Sequence, residues 1–161
     1  MALPGKRSIS FVINHDIPNN KEFLELILDR KDEYLAHIFI FARKEGTPHI
    51  YSDLGKNDLL QSNRWYYFHR NPVVVAGVKF RNLTHKTSEE IIHSNKCALV
   101  IRRGQLGIAT INKCNKPFRY KLKNSNVEAY TDLLTGLPLS KSYDGYFSIP
   151  ARSGQLFIRQ L

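Results

Sequence analysis

The sequence predicts an α/β segment followed by an all-β segment: βα units ahead of an antiparallel β-sandwich of Greek-key type. Three observations carry this. Residues 1–85 alternate strand and helix patterns, residues 86–161 read almost exclusively as short strands, and turn residues punctuate that second half at regular spacing. Its 161 residues, 42% hydrophobic and 11% aromatic, suit one ordinary domain or one and a half small ones. That is too short for most large enzyme scaffolds.

Ser8-Ile9-Ser10-Phe11-Val12-Ile13 is a β-rich run that ends in Asn14-His15-Asp16 and the turn cluster Pro18-Asn19-Asn20. From Asp32, a possible N-cap, Tyr34-Leu35, Ile38-Phe39 and Phe41-Ala42 recur at helical spacing until Gly46-Thr47-Pro48 stops the pattern. A second strand, Pro48–Tyr51, follows, and then a polar loop through Asn63. After Arg64–Phe68, Pro72–Phe80 reads as a helix opened by proline in its first turn, despite its valines. Strand, helix, strand, helix is the order of βα units in a parallel sheet, and two strands cannot make such a sheet alone.

Beyond residue 86 the predicted strands are Glu89–His93, Cys97–Arg102, Gly107–Asn112, Phe118–Lys123, Val127–Asp132, Tyr146–Ile149 and Gln155–Arg159. Turns fall at Arg103–Gln105, Asn124–Asn126, Leu137-Pro138 and Asp144-Gly145. The proposed division is therefore 1–85 and 86–161. The net charge of +10 is uneven, with twelve basic against nine acidic residues in the first part and twelve against five in the second. In Phe118-Arg119-Tyr120-Lys121-Leu122-Lys123 the cations alternate with apolar residues, which puts the two sets on opposite faces of a strand. A groove for single-stranded nucleic acid wants both on one face, so the charge reads as a solvated face and no nucleic-acid partner is expected.

Cys97 and Cys114 lie 17 residues apart without a CxxC partner, which excludes a disulfide-stapled miniprotein and a zinc site; they read as two ordinary thiols. No stretch approaches the roughly 18 apolar residues of a membrane span, so no membrane partner is expected. The start MALPGKRSIS has no apolar signal-peptide core, and the compartment stays open.

The chemistry-bearing motif is Phe11-Val12-Ile13-Asn14-His15-Asp16, where an imidazole and a carboxylate follow a strand. In a βα barrel the carboxyl ends of the strands form the floor of the active site. The same triplet is also ordinary turn chemistry, because Asn and Asp bond their own backbone. FVINHD resembles the last short sequence region of the α-amylase family. In the same order, Gly46–Ser52 resembles that family's eighth barrel strand and Phe80-Arg81-Asn82 the end of its eighth helix. Ser94–Gly104 with Gly107–Asn112 is similar to the hairpin opening its C-terminal β domain. Tyr130–Gly136 and Ile149–Gly154 resemble that domain's later strands.

The resemblance implies a partial (β/α)8 TIM-barrel end, strands seven and eight with their helices over 1–85, followed by a Greek-key β-sandwich over 86–161. It implies a retaining glycoside hydrolase acting on α-1,4-glucans such as starch, glycogen and maltooligosaccharides. Asp16 would be the carboxylate that stabilises the oxocarbenium-like transition state, and His15 would hydrogen-bond the neighbouring sugar. Asn14 would shape the turn at the edge of the substrate site, and Asp53 could line the same cleft. His49 reads as a core histidine. An intact family member is expected to hold calcium and to be extracellular, but no cofactor is supported within this chain. Some members bind chloride through an arginine on the eighth strand; none stands near His49, so no chloride is expected.

Retaining hydrolysis needs a nucleophile and a general acid roughly 5 Å apart. In the family these lie on strands four and five, upstream of anything this chain resembles. A complete barrel takes about 250 residues, so the chain is expected to be inactive alone and to need the missing N-terminal barrel portion as partner. Two other readings are a non-catalytic carbohydrate-binding or structural β module, with Trp65, Tyr66, Tyr67 and the Tyr143/Tyr146 pair as stacking faces, and a basic nucleic-acid-binding protein. The first must compete with burial of Trp65–Phe68 at the junction of the two parts; the second has no motif behind it.

Overall fold

The computed structural model describes residues 4–54, 63–122, 130–140 and 145–160. Strand β1 (Ile9–Ser10) pairs in parallel with β2 (Thr47–Pro48), Ile9 opposite Thr47, and helix α2 (Arg30–Ala42) makes the crossover between them. Between β1 and α2 lie helix α1 (Asp16–Asn19) and a 3-10 segment, Lys21–Leu26, where the sequence predicts only a loop. Helix α3 (Pro72–Thr84) completes the first part.

Both strands are shorter than the sequence predicts. The described ladder gives each a single neighbour, Pro48 has no N–H to donate, and Phe11–Ile13 leave the pairing after Ser10. The cap of α2 is Asp29, not Asp32: its carboxylate accepts from the N–H groups of Lys31 and Asp32 at 2.9 and 3.0 Å. Helix α3 begins as predicted, with Asn71 accepting from Val73 N–H at 3.0 Å and proline in the first turn, and runs on to Thr84.

The remaining strands are β3 (Glu89–Ser94), β4 (Ala98–Arg103), β5 (Gly107–Asn112), β6 (Phe118–Tyr120), β7 (Tyr130–Asp132), β8 (Phe147–Ile149) and β9 (Ser153–Arg159). The predicted turn Asn124–Asn126, Lys123, residues 127–129, Tyr143 and Asp144 lie outside the described residues. Five strands form an antiparallel sheet in the order β3-β4-β5-β9-β7, and β6 pairs with β8. The sheet is buried on both faces. Val100, Ile108 and Phe157 point into a core with Leu122, Phe147 and Ile149 of the β6–β8 side, while Ile101, Ala109 and Leu156 pack on Ile38, Ala42, Val73, Ala76 and Phe80 of the two long helices. The result is three layers: helices, a five-stranded sheet and a two-stranded ribbon. Phe118, Tyr120 and Leu122 face inward while Arg119 and Lys121 are exposed, the segregation that the alternation predicts.

Buried Arg103 ties the layers together. From β4 its guanidinium donates to the carbonyls of Ala42 at 2.9 Å and Thr84 at 2.8 Å, the last residues of α2 and α3. It thereby supplies donors to two helix C-termini at once. Burial pulls its pKa below the ordinary arginine value, with Glu89 working against that shift. On the surface nearby, Arg43 Nε donates to Glu89 at 2.8 Å, and Arg81 donates to the carbonyls of Arg43, Lys44 and Gly46. At the far end of α2, Arg152 pairs with Asp29 at 2.6 Å and Asp32 at 3.0 Å.

Cys97 and Cys114 are not free thiols: they form a disulfide, 5.1 Å between Cα atoms, that joins the start of β4 to the segment after β5. Sequence separation says nothing about this. Antiparallel pairing brings Ala98 opposite Asn112 and thereby carries the two cysteines to the same end of the ladder.

The two long helices meet at Gly77, where a Cβ would stand 2.1 Å from the Phe41 ring. Gly77→Ala is therefore expected to destabilise by about 1–3 kcal/mol through overpacking, despite alanine's better helix propensity. Urea unfolding checks this, and an unchanged or raised midpoint would count against the close approach.

Candidate active-site segment

The Asn14-His15-Asp16 triplet follows β1 after the unpaired Phe11–Ile13 stretch and enters α1. Asn14 Oδ1 accepts from the N–H groups of Asp16 and Ile17, both at 3.2 Å, and its Nδ2 lies 3.4 Å from Asp16 Oδ2. Asn14 thus builds the turn, holding Asp16 in the first helical position. His15 Nε2 approaches Asp16 Oδ1 at 3.2 Å, and both side chains are exposed. A carboxylate and an imidazole are presented outward side by side on a backbone that Asn14 fixes.

The second strand delivers Asp53 to the same end. Tyr51 donates its hydroxyl to Asp53 Oδ2 at 2.9 Å, while Asp53 Oδ1 accepts from Leu54 N–H at 2.7 Å. The two segments are linked by Asn19, which donates to the His15 carbonyl at 2.6 Å and hydrogen-bonds the Tyr51 phenol. Burial, then Asp53, push that phenol above the ordinary tyrosine value. Asp16, His15, Asn14 and Asp53 therefore belong to one hydrogen-bonded end of the β1–β2 pair. His49, in contrast, is exposed and not a core histidine: its N–H bonds the Ser10 carbonyl and its side chain leaves the pair.

Sequence reasoning missed what supports this end. Trp65 is buried and donates Nε1–H to Glu33 Oε1 at 2.9 Å, and Arg64 pairs with the other oxygen of the same carboxylate. The Trp65 carbonyl accepts from Asp53 N–H at 2.9 Å, so buried Glu33 of α2, holding Trp65 and Arg64, positions the Asp53 segment. A glutamate and a tryptophan 32 residues apart carry no local signal. Of the four aromatics expected to be buried together, Trp65 and Phe68 are, and Tyr66 and Tyr67 are not.

Glu33 and the buried His37 have opposed titrations. Desolvation raises the Glu33 carboxyl above its ordinary value despite Arg64, and desolvation lowers the His37 imidazole. His37 Nδ1 lies 2.8 Å from the Glu33 carbonyl. A depressed imidazole contributes stability that is whole above its unfolded pKa of about 6.5 and lost as pH falls through the folded one. The raised carboxyl works in the other sense, disfavouring the fold as pH rises above its unfolded pKa of about 4.3. Between pH 7.5 and 5.5 the wild-type chain is expected to lose stability to urea, and His37→Gln to lose less. Parallel pH slopes in the two would refute this.

Among the described residues, no group of three or more His, Cys, Asp or Glu is placed to hold a metal ion. No family model matches. An α-amylase of Aeromonas hydrophila is 33% identical over 127 residues, 79% of this chain and 27% of that protein. The chain belongs to the α-amylase family.

It corresponds to a C-terminal portion of such a protein. Among solved structures, α-amylase I of Eisenia fetida superposes with a TM-score of 0.65 at 16% identity, over 97% of this chain and 39% of that one. An Anoxybacillus α-amylase gives 0.64 at 17% identity, over 93% and 37%. A Geobacillus thermoleovorans α-amylase, solved in complex with acarbose, gives 0.58 at 15% identity, over 94% and 38%. These likenesses speak for the fold, and this chain spans between about a quarter and two fifths of its amylase relatives.

Proposed function

We propose that this chain is the C-terminal part of an α-amylase-type hydrolase that cleaves α-1,4-glucans with retention, and that it is inactive until an N-terminal barrel portion supplies the nucleophile and general acid. The observation that supports this best is the crossover-linked parallel pair that carries Asn14-His15-Asp16 and Asp53 to one end. That is where a βα barrel places its chemistry. In this reading residues 1–85 are the last two βα units and 86–161 the β domain.

The roles follow from charge and reach. Asp16, exposed and oriented by Asn14, stabilises the positive charge that develops on the sugar ring. His15, beside it, donates to a sugar hydroxyl, and Asp53 lines the far side of the cleft. The acarbose complex of the Geobacillus relative fits an α-glucan substrate for the completed site. Calcium is expected for intact relatives; this reading assigns it to the N-terminal portion. Ile9 and Phe11, exposed on and beside β1, leave apolar surface for the neighbouring strands of a closed barrel to cover.

The test is a fusion in which the Aeromonas amylase residues upstream of the matched region precede this chain. The fusion is expected to hydrolyse starch and the isolated chain to show none. Hydrolysis by the isolated chain, or a folded fusion without activity, would overturn the reading.

A further inference from the structure

The two cysteines stand in the same triplet, Asn95-Lys96-Cys97 and Asn112-Lys113-Cys114, and the fold uses both triplets alike. Asn95 Oδ1 accepts from the N–H groups of Cys97 and Ala98 at 2.8 and 2.7 Å, and Asn112 Oδ1 accepts from Cys114 N–H at 3.1 Å. Lys113 N–H donates to the Cys97 carbonyl at 2.9 Å. Asn112 is buried and donates Nδ2 to the carbonyls of Lys116 and Pro150 at 2.8 and 3.0 Å. These bonds fix the backbone on both sides of the crosslink, and none passes through a sulfur. Scission of the S–S bond therefore leaves the two cysteines held opposite each other, near their 5.1 Å Cα separation.

The crosslink is also open to reagents. Both cysteines are half-buried, and Cys97 lines a groove of about 320 Å³ between α2 and the ends of β4 and β5, with Leu35, Leu99 and Ile111 beside it. Lys113 lines the same groove. The acid there, Asp32, is already paired with Arg152 at 3.0 Å. Lys96, Lys113 and Lys116 are exposed and stand within two residues of a cysteine. Cations beside a sulfur stabilise its thiolate, which makes it a better leaving group.

We infer that Cys97 and Cys114 form a reversible redox site, at which a dithiol opens the crosslink and a small disulfide closes it again while the chain stays folded. The hydrolase reading is not needed for this. One thiolate of the dithiol attacks Cys97 Sγ from the groove, and the S–S bond breaks with its electron pair on Cys114, whose thiolate the neighbouring lysines stabilise. The dithiol's second thiolate then attacks its own first sulfur in the mixed disulfide and releases Cys97. Two electrons and two protons pass to the protein, and the dithiol leaves as a cyclic disulfide. A monothiol stops at the first step, because Cys114 is held in register and expels it. Closure runs the sequence backwards, with the small disulfide reduced to two thiols.

The test incubates the folded chain with dithiothreitol at neutral pH without denaturant, quenches in acid and counts alkylated cysteines by mass, with the backbone amide spectrum as the readout of fold. Both cysteines are expected to become alkylated while the amide dispersion persists, and oxidised glutathione added in place of the dithiol should restore the crosslink. Lys113→Met should slow the opening about threefold, a difference that added salt removes. In Cys114→Ser, oxidised glutathione should leave one glutathione on Cys97, because no resolving thiol remains to displace it. A crosslink that resists dithiothreitol until urea unfolds the chain is a structural staple, and the inference falls. It falls equally if opening abolishes the amide dispersion, if Lys113→Met opens at the parent rate, or if folded Cys114→Ser takes up no glutathione.

Discussion

In the starch-active fusion, Asp16→Asn is expected to lower kcat by roughly a hundred- to a thousandfold, the cost of losing one preorganised charge aimed at the transition state. The substitution is isosteric. Asn14 holds the turn through the backbone N–H groups of Asp16 and Ile17, neither of which depends on the carboxylate, so the local fold should survive. Because a neutral amide can still accept sugar hydroxyls, KM should change far less than kcat, the pattern of an interaction made mainly in the transition state. His15→Ala should cost less, because it removes one hydrogen bond to a hydroxyl. Activity in Asp16→Asn within tenfold of the parent would refute the assigned role, as would a loss carried entirely in KM.

The largest stability effect is expected at Arg103. Arg103→Met keeps an unbranched apolar stem but removes the donors to the Ala42 and Thr84 carbonyls; the Ala42 carbonyl at the end of α2 loses its side-chain donor in a dry interface, while the Thr84 carbonyl keeps the N–H and hydroxyl of Thr87. The orphaned Ala42 acceptor costs about 1–3 kcal/mol and the lost charge-assisted bond to Thr84 about 1.5 kcal/mol more, so the substitution should cost about 3 kcal/mol. For a domain of this size that lowers Tm by about 10 °C. Arg103→Lys should recover little, because a single ammonium cannot fork to two carbonyls on different helices. A thermal shift under 2 °C in Arg103→Met would show that water replaces the guanidinium without cost. The same residue explains how the helices and the sheet behave as one packed body: an arginine on β4 holds both helices that precede it in sequence.

Much of the site was legible because its signals are local. Asn-His-Asp after an apolar strand is a contiguous motif, and the turn it forms uses bonds between residues two and three apart. The helix at Pro72 was legible for the same reason, since Asn71 and Pro72 specify its first turn themselves. The first two strands are shorter than their β-rich runs, because among the described residues Phe11–Ile13 have no strand to pair with. The support for Asp53 was hidden because Glu33, Arg64 and Trp65 meet only after α2 packs against the loop. His49 misled because alternation along a strand indicates a face without saying which face is covered.

By itself the sequence determined the order of elements, the capped helix at Pro72, the alternation that segregates Arg119 and Lys121 from Phe118 and Tyr120, and the turn that presents Asp16. Each depends on residues within a few positions of one another, where backbone geometry leaves few choices. Only the tertiary structure decided that Cys97 meets Cys114, that Arg103 serves both helices, that Glu33 anchors Trp65, and that Tyr66 and Tyr67 stand in solvent between two buried neighbours. Those are long-range pairings, selected by which surfaces exclude water together, and no short stretch of chain contains both sides of such a surface.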